Sequence, residues 1–303
     1  MGRARGERVD GVLLLDKPGG MSSNHALQKA RRLLNAVKAG HTGTLDPMAT
    51  GVLPICLGAA TKIAGYLSEE DKEYEVDFSF GVATDTGDAS GKPVETRPGA
   101  SADEAEVALA LSELVGTFLQ VPPAYSAVKV GGVRSYALAR KGKEVPLSPR
   151  RVTVSVSRLL SWDAGGFRAV FACSKGFYVR ALSRDLGERL GVPMTVARLR
   201  RLRVGAFRIE GAVTPDALRE LAATGNAGER VLPIVDALSR MPAWVVPPDG
   251  AAAVRNGRLS GSWLAEFAAA ESGSTALLVT GAREPLAIVG REASGLWKIL
   301  RGM

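Results

Sequence analysis

The chain has 303 residues, 46% hydrophobic and 23% charged, which is enough to bury a sizeable core and excludes a wholly disordered protein. Its 39 lysines and arginines outnumber 31 acidic residues by 8, a surplus that favours a polyanionic partner. Two distant cysteines, Cys56 and Cys173, argue against a disulfide scaffold or a cysteine-rich zinc site and fit a reducing, cytoplasmic setting; the apolar run Val12 to Leu15 is too short for an export signal or a membrane span.

From the N-terminus, Gly11 to Leu15 reads as a short buried strand, followed by turn chemistry at Asp16-Lys17-Pro18-Gly19-Gly20. Ser22, Ser23 and Asn24 are good caps for a helix whose apolar positions Ala26, Leu27, Ala30, Leu33 and Leu34 share one stripe. From Glu73 to Phe80, Tyr74, Val76, Phe78 and Phe80 alternate with polar residues, which is the period of a strand. Ser126 to Val133 reads as a hairpin turning at Gly131-Gly132, and a short helix from Ser135 to Lys141 is expected to end at Gly142. Val152, Val154 and Val156 mark a further strand, as does Phe167 to Ser174. Val179, Leu182, Leu186 and Leu190 then have helical spacing, stopped by Gly191.

Strands and helices mix without a regular β-α-β alternation, so the expected fold class is α+β, with a mixed, largely antiparallel sheet flanked by helices. The texture changes at Met241 to Pro248. Short apolar runs at Thr275 to Thr280, Leu286 to Val289 and Leu296 to Leu300 predict a small β-rich module beyond it. The expected division is residues 1–240 and 241–303.

The densest candidate for chemistry is Gly40 to Pro54, a loop shaped by three glycines and two prolines. Within it, Asp46 precedes Pro47. One reading makes Asp46 the N-cap of a helix that starts at Pro47; the other makes it a nucleophile or a base. His41 is near in sequence. No phosphate-binding glycine loop, dinucleotide fingerprint or metal-ligand spacing accompanies the loop.

The loop resembles the catalytic motif of the TruB-type tRNA pseudouridine synthases. So, in the same order, do Leu14-Leu15-Asp16-Lys17-Pro18, Met21-Ser22-Ser23-Asn24, Gly58-Ala59-Ala60-Thr61-Lys62, Lys72-Glu73-Tyr74, Thr84-Asp85-Thr86-Gly87-Asp88, Cys173 through Arg180, and Leu199-Arg200-Arg201-Leu202. The resemblance implies the pseudouridine synthase fold and isomerisation of the T-loop uridine conventionally numbered 55. It implies Asp46 as the catalytic carboxylate and Arg180 as its guanidinium partner, keeping Asp46 charged where water is excluded. Tyr74 corresponds to the tyrosine that stacks on the target uracil, Tyr178 and Leu199 to further walls of the uridine pocket, and His41 to the histidine that holds the nucleotide out of its stack. Read without the family, Tyr74 and Leu199 are equally well core residues, His41 a turn residue and Arg180 a surface cation at a helix start. If the chain is still extended at Arg180, Tyr178 and Arg180 point to the same side.

By the same resemblance, the basic stretch within about 125–151 (Arg134, Arg140, Lys141, Lys143, Arg150) is an inserted element that closes over the tRNA loop, and 241–303 is a PUA-like RNA-binding module. A monomer that needs no cofactor, guide RNA or protein partner is the expectation. His25 stands where related chains carry a carboxylate, outside the pocket motifs. Two rivals are an RNA-binding chaperone of tRNA folding and, from Ser126-Ala127-Val128-Lys129, a serine-lysine acylase. The second has its motifs in the wrong order and lacks an export signal.

Overall fold

The apolar run that opens the chain forms β1 (Gly11–Lys17), buried along nearly its whole length. After β2 (Ala39–His41), the catalytic-loop segment leads into β3 (Thr50–Leu57), which is equally buried. The strand of period two is β4 (Lys72–Phe80), with Val76 and Phe78 in the core and Tyr74 and Phe80 against its edge. A separate hairpin, β5 (Val82–Thr84) with β6 (Pro93–Thr96), precedes β7 (Gly116–Gln120). The glycine-turned hairpin is present as β8 (Lys129–Val130) paired with β9 (Val133–Arg134). Then follow β10 (Arg150–Asp163), β11 (Gly166–Cys173), β12 (Met194–Val204), β13 (Phe207–Arg208) and β14 (Val231–Leu232). The computed structural model describes residues 6–303 apart from 124, 127, 128, 131, 136–145 and 268–270. Most of the helix expected from Ser135, with Arg140, Lys141 and Lys143, lies outside the described residues.

Ten of these strands form one sheet in the order β14-β1-β3-β12-β4-β11-β10-β7, with β2 on β3 and β13 on β12. Its seams are antiparallel except one. β3 and β12 run parallel, with Thr50 opposite Arg200 and Gly51 opposite Arg201. That seam sits at the middle of the sheet, where the Asp46 loop ends. Gly51 is required there. Its φ is +107°, and a Cβ would lie 2.2 Å from the Arg201 carbonyl oxygen.

The helix Ser23–Leu33 is capped by Ser22, whose hydroxyl accepts from His25 N at 3.2 Å, and buries Ala26, Leu27 and Ala30 on the sheet. His25 itself is exposed. The helix Val179–Leu190 ends at Gly191 in the left-handed conformation, φ +66°. It buries Val179, Leu182 and Leu186 in the same core.

The last four strands, β15 (Ala243–Val245), β16 (Thr275–Val279), β17 (Pro285–Arg291) and β18 (Trp297–Gly302), make a separate sheet in that order. Both faces of its middle strands are buried. Ala276, Leu278, Ala287 and Val289 face the module's own core with Trp263. Leu277, Val279 and Ile288 pack instead with Val52, Ile63, Val204 and Phe207 of the large sheet's body.

Candidate active site

The Asp46 loop is held from below by neighbours on three elements. Ser23, the first residue of its helix, both donates its hydroxyl to Leu45 O (2.9 Å) and accepts from Leu45 N (2.8 Å). Lys17, fully buried at the end of β1, donates to Pro47 O at 3.3 Å, and also to Pro18 O and Met21 O. Gly20 N donates to the same Pro47 O at 2.8 Å. Arg201 donates to Gly43 O and Val52 O. No helix starts at Pro47. The Asp46 carbonyl accepts from Ala49 N at 3.1 Å, closing a turn, so the N-cap reading of Asp46 is overturned. Its carboxylate is thereby left free of local backbone N–H groups.

That carboxylate meets Arg180 as a fork. Nε donates to Oδ2 at 2.8 Å and Nη2 to Oδ1 at 3.0 Å, the bidentate geometry that fixes both oxygens in one plane. Arg180 sits in the first turn of the helix Val179–Leu190, with Tyr178 as N-cap, so the backbone has already left the extended conformation. The expectation that Tyr178 and Arg180 share a strand face is corrected accordingly. The guanidinium is nearly saturated with acceptors: Nη1 donates to Thr86 O (3.0 Å), Nη2 also to Tyr125 O (2.7 Å), and Asp88 Oδ2 lies 3.6 Å from Nε. The close approach of the Thr84–Asp88 turn depends on Gly87, φ +74°, where a Cβ would fall 2.6 Å from Arg180 O.

The pair is asymmetric in exposure. Arg180 is 6% exposed at its side chain and Asp46 36%, so the cation is packed behind and the anion stands in front. A carboxylate so placed offers its remaining lone pairs to whatever enters from solvent. A cavity of about 550 Å³ also opens at Arg180, lined by Thr86, Arg97, Glu188 and Met194 among others, but Asp46 is not part of its wall.

The other expected residues come from β2, β4, β12 and the start of the helix Val179–Leu190. Tyr74 on β4 lies directly opposite Arg201 on β12, and Leu199 is opposite Val76. Tyr74 feels the charges of both Arg201 and Asp46, and burial pushes its phenol up to about 12. Leu199 is buried in the core, and its carbonyl accepts from the Thr50 hydroxyl at 3.4 Å. Tyr178 is held by its backbone: Gln120, itself buried, accepts from Tyr178 N at 2.9 Å and donates to Tyr178 O at 3.2 Å. His41 ends β2 with its Nδ1 buried and without a partner, and burial followed by the Arg201 charge pulls its imidazole below the ordinary value. Arg150, grouped with the basic insertion, is exposed in β10.

Sequence reasoning missed Asp88, Gln120, Lys17 and Arg201 as supports of the site. Asp88 is buried and accepts from the hydroxyl of Thr86 (2.9 Å) and from Ser90 N (3.0 Å), which aims its other oxygen at Arg180. Its turn residues were visible in the sequence; its distance from Arg180 was not. Lys17 is the clearest electrostatic oddity. Burial lowers its amine to about 8, against the pull of Asp46, which raises it.

The sheet and the helices packed on it have the pseudouridine synthase fold. Among solved structures the chain is similar to the archaeal box H/ACA sRNP Nop10-Cbf5 complex, with a TM-score of 0.73, 22% identity, and coverage of 97% of this chain and 86% of the other. A Cbf5-Nop10-Gar1 complex matches with a TM-score of 0.71 and 25% identity over 94% of this chain and 79% of the other. The family model described as TruB family pseudouridylate synthase (N terminal domain) matches residues 31–179. The chain is 48% identical to tRNA pseudouridine synthase B of Chromohalobacter salexigens over 80% of its length and 78% of the relative's. It is 47% identical to that of Bordetella pertussis over 82% of its length and 99% of the relative's. The chain belongs to the TruB family of pseudouridylate synthases.

Proposed function

We propose that the chain converts the T-loop uridine of tRNA at position 55 into pseudouridine, with the Asp46 carboxylate as the reacting protein group. The observation that carries this reading is the front-and-back arrangement of Asp46 and Arg180: an open carboxylate oriented by a buried fork. Pseudouridine formation breaks the ribose C1′–N1 bond, turns the uracil and joins C1′ to C5. N1 gains a proton and C5 loses one, so reactant and product are isomers and the chemistry calls for no redox carrier. One carboxylate is enough, as nucleophile at C1′ or as base at C2′.

A uridine in a folded loop must leave its stack first, at a cost of a few kcal/mol. In this reading Tyr74 stacks on the extruded base, Tyr178 and Leu199 wall it, and His41, with its unpartnered Nδ1, helps hold the nucleotide out. The insertion at about 125–151 grips the RNA. Residues 241–303 act as a PUA-like RNA-binding module beside the catalytic residues 1–240. The enzyme acts as a monomer in the cytoplasm, on tRNA alone, without guide RNA. Among the described residues, no helix is long and apolar enough to cross a membrane.

The test is conversion of unmodified tRNA transcripts, with pseudouridine mapped by chemical labelling. Asp46→Asn is expected to abolish conversion while tRNA affinity stays within about tenfold, since one side-chain atom changes. Wild-type conversion by Asp46→Asn, or modification at a different nucleotide, would overturn the reading.

A further inference from the structure

We infer that Arg201 is a positioning residue for this reaction: one side chain ties together the two ends of the Asp46 loop and holds them in register with Tyr74. The inference rests on the reading of Asp46 as the reacting group.

Arg201 is 1% exposed, and among the described residues it forms no ion pair. Its neighbour Arg200 behaves differently, pairing with Asp16 at 2.8 Å where both side chains are partly exposed. The Arg201 guanidinium spends its donors on backbone instead. Nε donates to Val52 O at 2.8 Å and Nη2 to Gly43 O at 3.2 Å. Gly43 lies three residues before Asp46 and Val52 six residues after it. The backbone of the same residue pairs with Gly51 across the parallel seam, so close that only glycine fits. Across the antiparallel seam Arg201 stands directly opposite Tyr74, which puts the two side chains on the same face of the sheet. Three parts of the site therefore converge on one residue: the entry to the loop, its exit and the tyrosine.

A buried cation without a carboxylate partner is costly, and an apolar side chain of similar volume commonly serves a fold as well or better. What an apolar side chain cannot do is bridge two carbonyls on separate segments. Lysine cannot do it well either, because its ammonium is a single point on a flexible stem, whereas the guanidinium presents several donors in a rigid plane. The requirement that Arg201 meets is geometric. Reacting groups must be held within a fraction of an ångström, and a loop anchored at one end loses that precision.

The experiment uses the full chain with Arg201→Lys and Arg201→Gln, each measured for thermal unfolding, tRNA affinity and single-turnover conversion at saturating enzyme. The expected result for Arg201→Lys is cooperative melting, affinity within about threefold of wild type, and a single-turnover rate lower by about thirtyfold or more. Combining Arg201→Lys with Tyr74→Phe should give a loss smaller than the product of the two single losses, because both act through one register. A purely structural role would lower the melting temperature and leave the rate of the folded enzyme unchanged. Wild-type rate in folded Arg201→Lys overturns the inference, as do a loss confined to affinity, a strictly multiplicative double variant, or failure of both variants to fold. Asp46→Asn is run alongside. If it converts uridine, the reading of the site falls; if it is inert while Arg201→Lys is fully active, only the role of Arg201 falls.

Discussion

The two sheets of this molecule solve burial in opposite ways. In the large sheet and the elements packed on it, Lys17, Lys72, Arg180, Arg201 and Asp88 are all buried, each held by carbonyls, hydroxyls or the opposing charge. In the small sheet the buried side chains are apolar, and its aromatic residues stack on one another, with Trp244 and Phe267 at 3.9 Å between centroids. Among the described residues, no polar or charged side chain after Arg201 is buried. A β-sheet does not need buried charge for its stability, as the small sheet demonstrates. In the larger body, Lys17, Arg180 and Arg201 carry that cost in contact with Asp46 or its loop, and buried charge of this kind clusters at functional sites.

The contrast can be broken most directly at Arg180. Arg180→Met removes the fork and is expected to lower single-turnover conversion by about a thousandfold, on the scale of an uncompensated buried charge. Conversion within tenfold of wild type would show that the buried cation is a bystander. In the small sheet, Ile288→Ala empties a fully buried position shared with the large body. It should cost about 2–5 kcal/mol by denaturant unfolding and leave conversion by the folded enzyme unchanged. A loss of rate without loss of stability would put the module in the chemistry and erase the distinction. The gentlest probe is pH. Because the folded Lys17 amine sits at about 8 and the unfolded one near 10.5, the unfolded chain holds more protons between those values. Stability contributed through this group therefore rises with pH across that window, by at most about 1.4 kcal/mol per pH unit. The difference between wild type and Lys17→Met in urea unfolding at pH 7, 8, 9 and 10 should grow in that direction. A flat difference would mean that Lys17 is not held as a buried cation.

Much of the frame was legible because it is periodic. The alternation through Tyr74, Val76, Phe78 and Phe80 gave β4, and the spacing of Val179, Leu182, Leu186 and Leu190 gave the helix that Gly191 ends. Asp46 and Arg180 were legible only through family motifs, since 134 residues separate them and no local pattern announces their meeting. The N-cap expectation failed because Asp-Pro is compatible with both a helix start and a turn, and the contacts of Lys17 and Ser23 decide for the turn. Arg201 was hidden in a run with Arg198, Arg200 and Arg203. Strand alternation places Arg201 on the same side as Leu199 but cannot reveal that two carbonyls from a distant loop await it.

Leu277, Val279 and Ile288 have one further implication. Because the middle strands of the terminal module are wedged into the main body by their inner side chains, parting the two would expose that shared apolar seam to water. An RNA held by both, as proposed, would meet them joined along that seam.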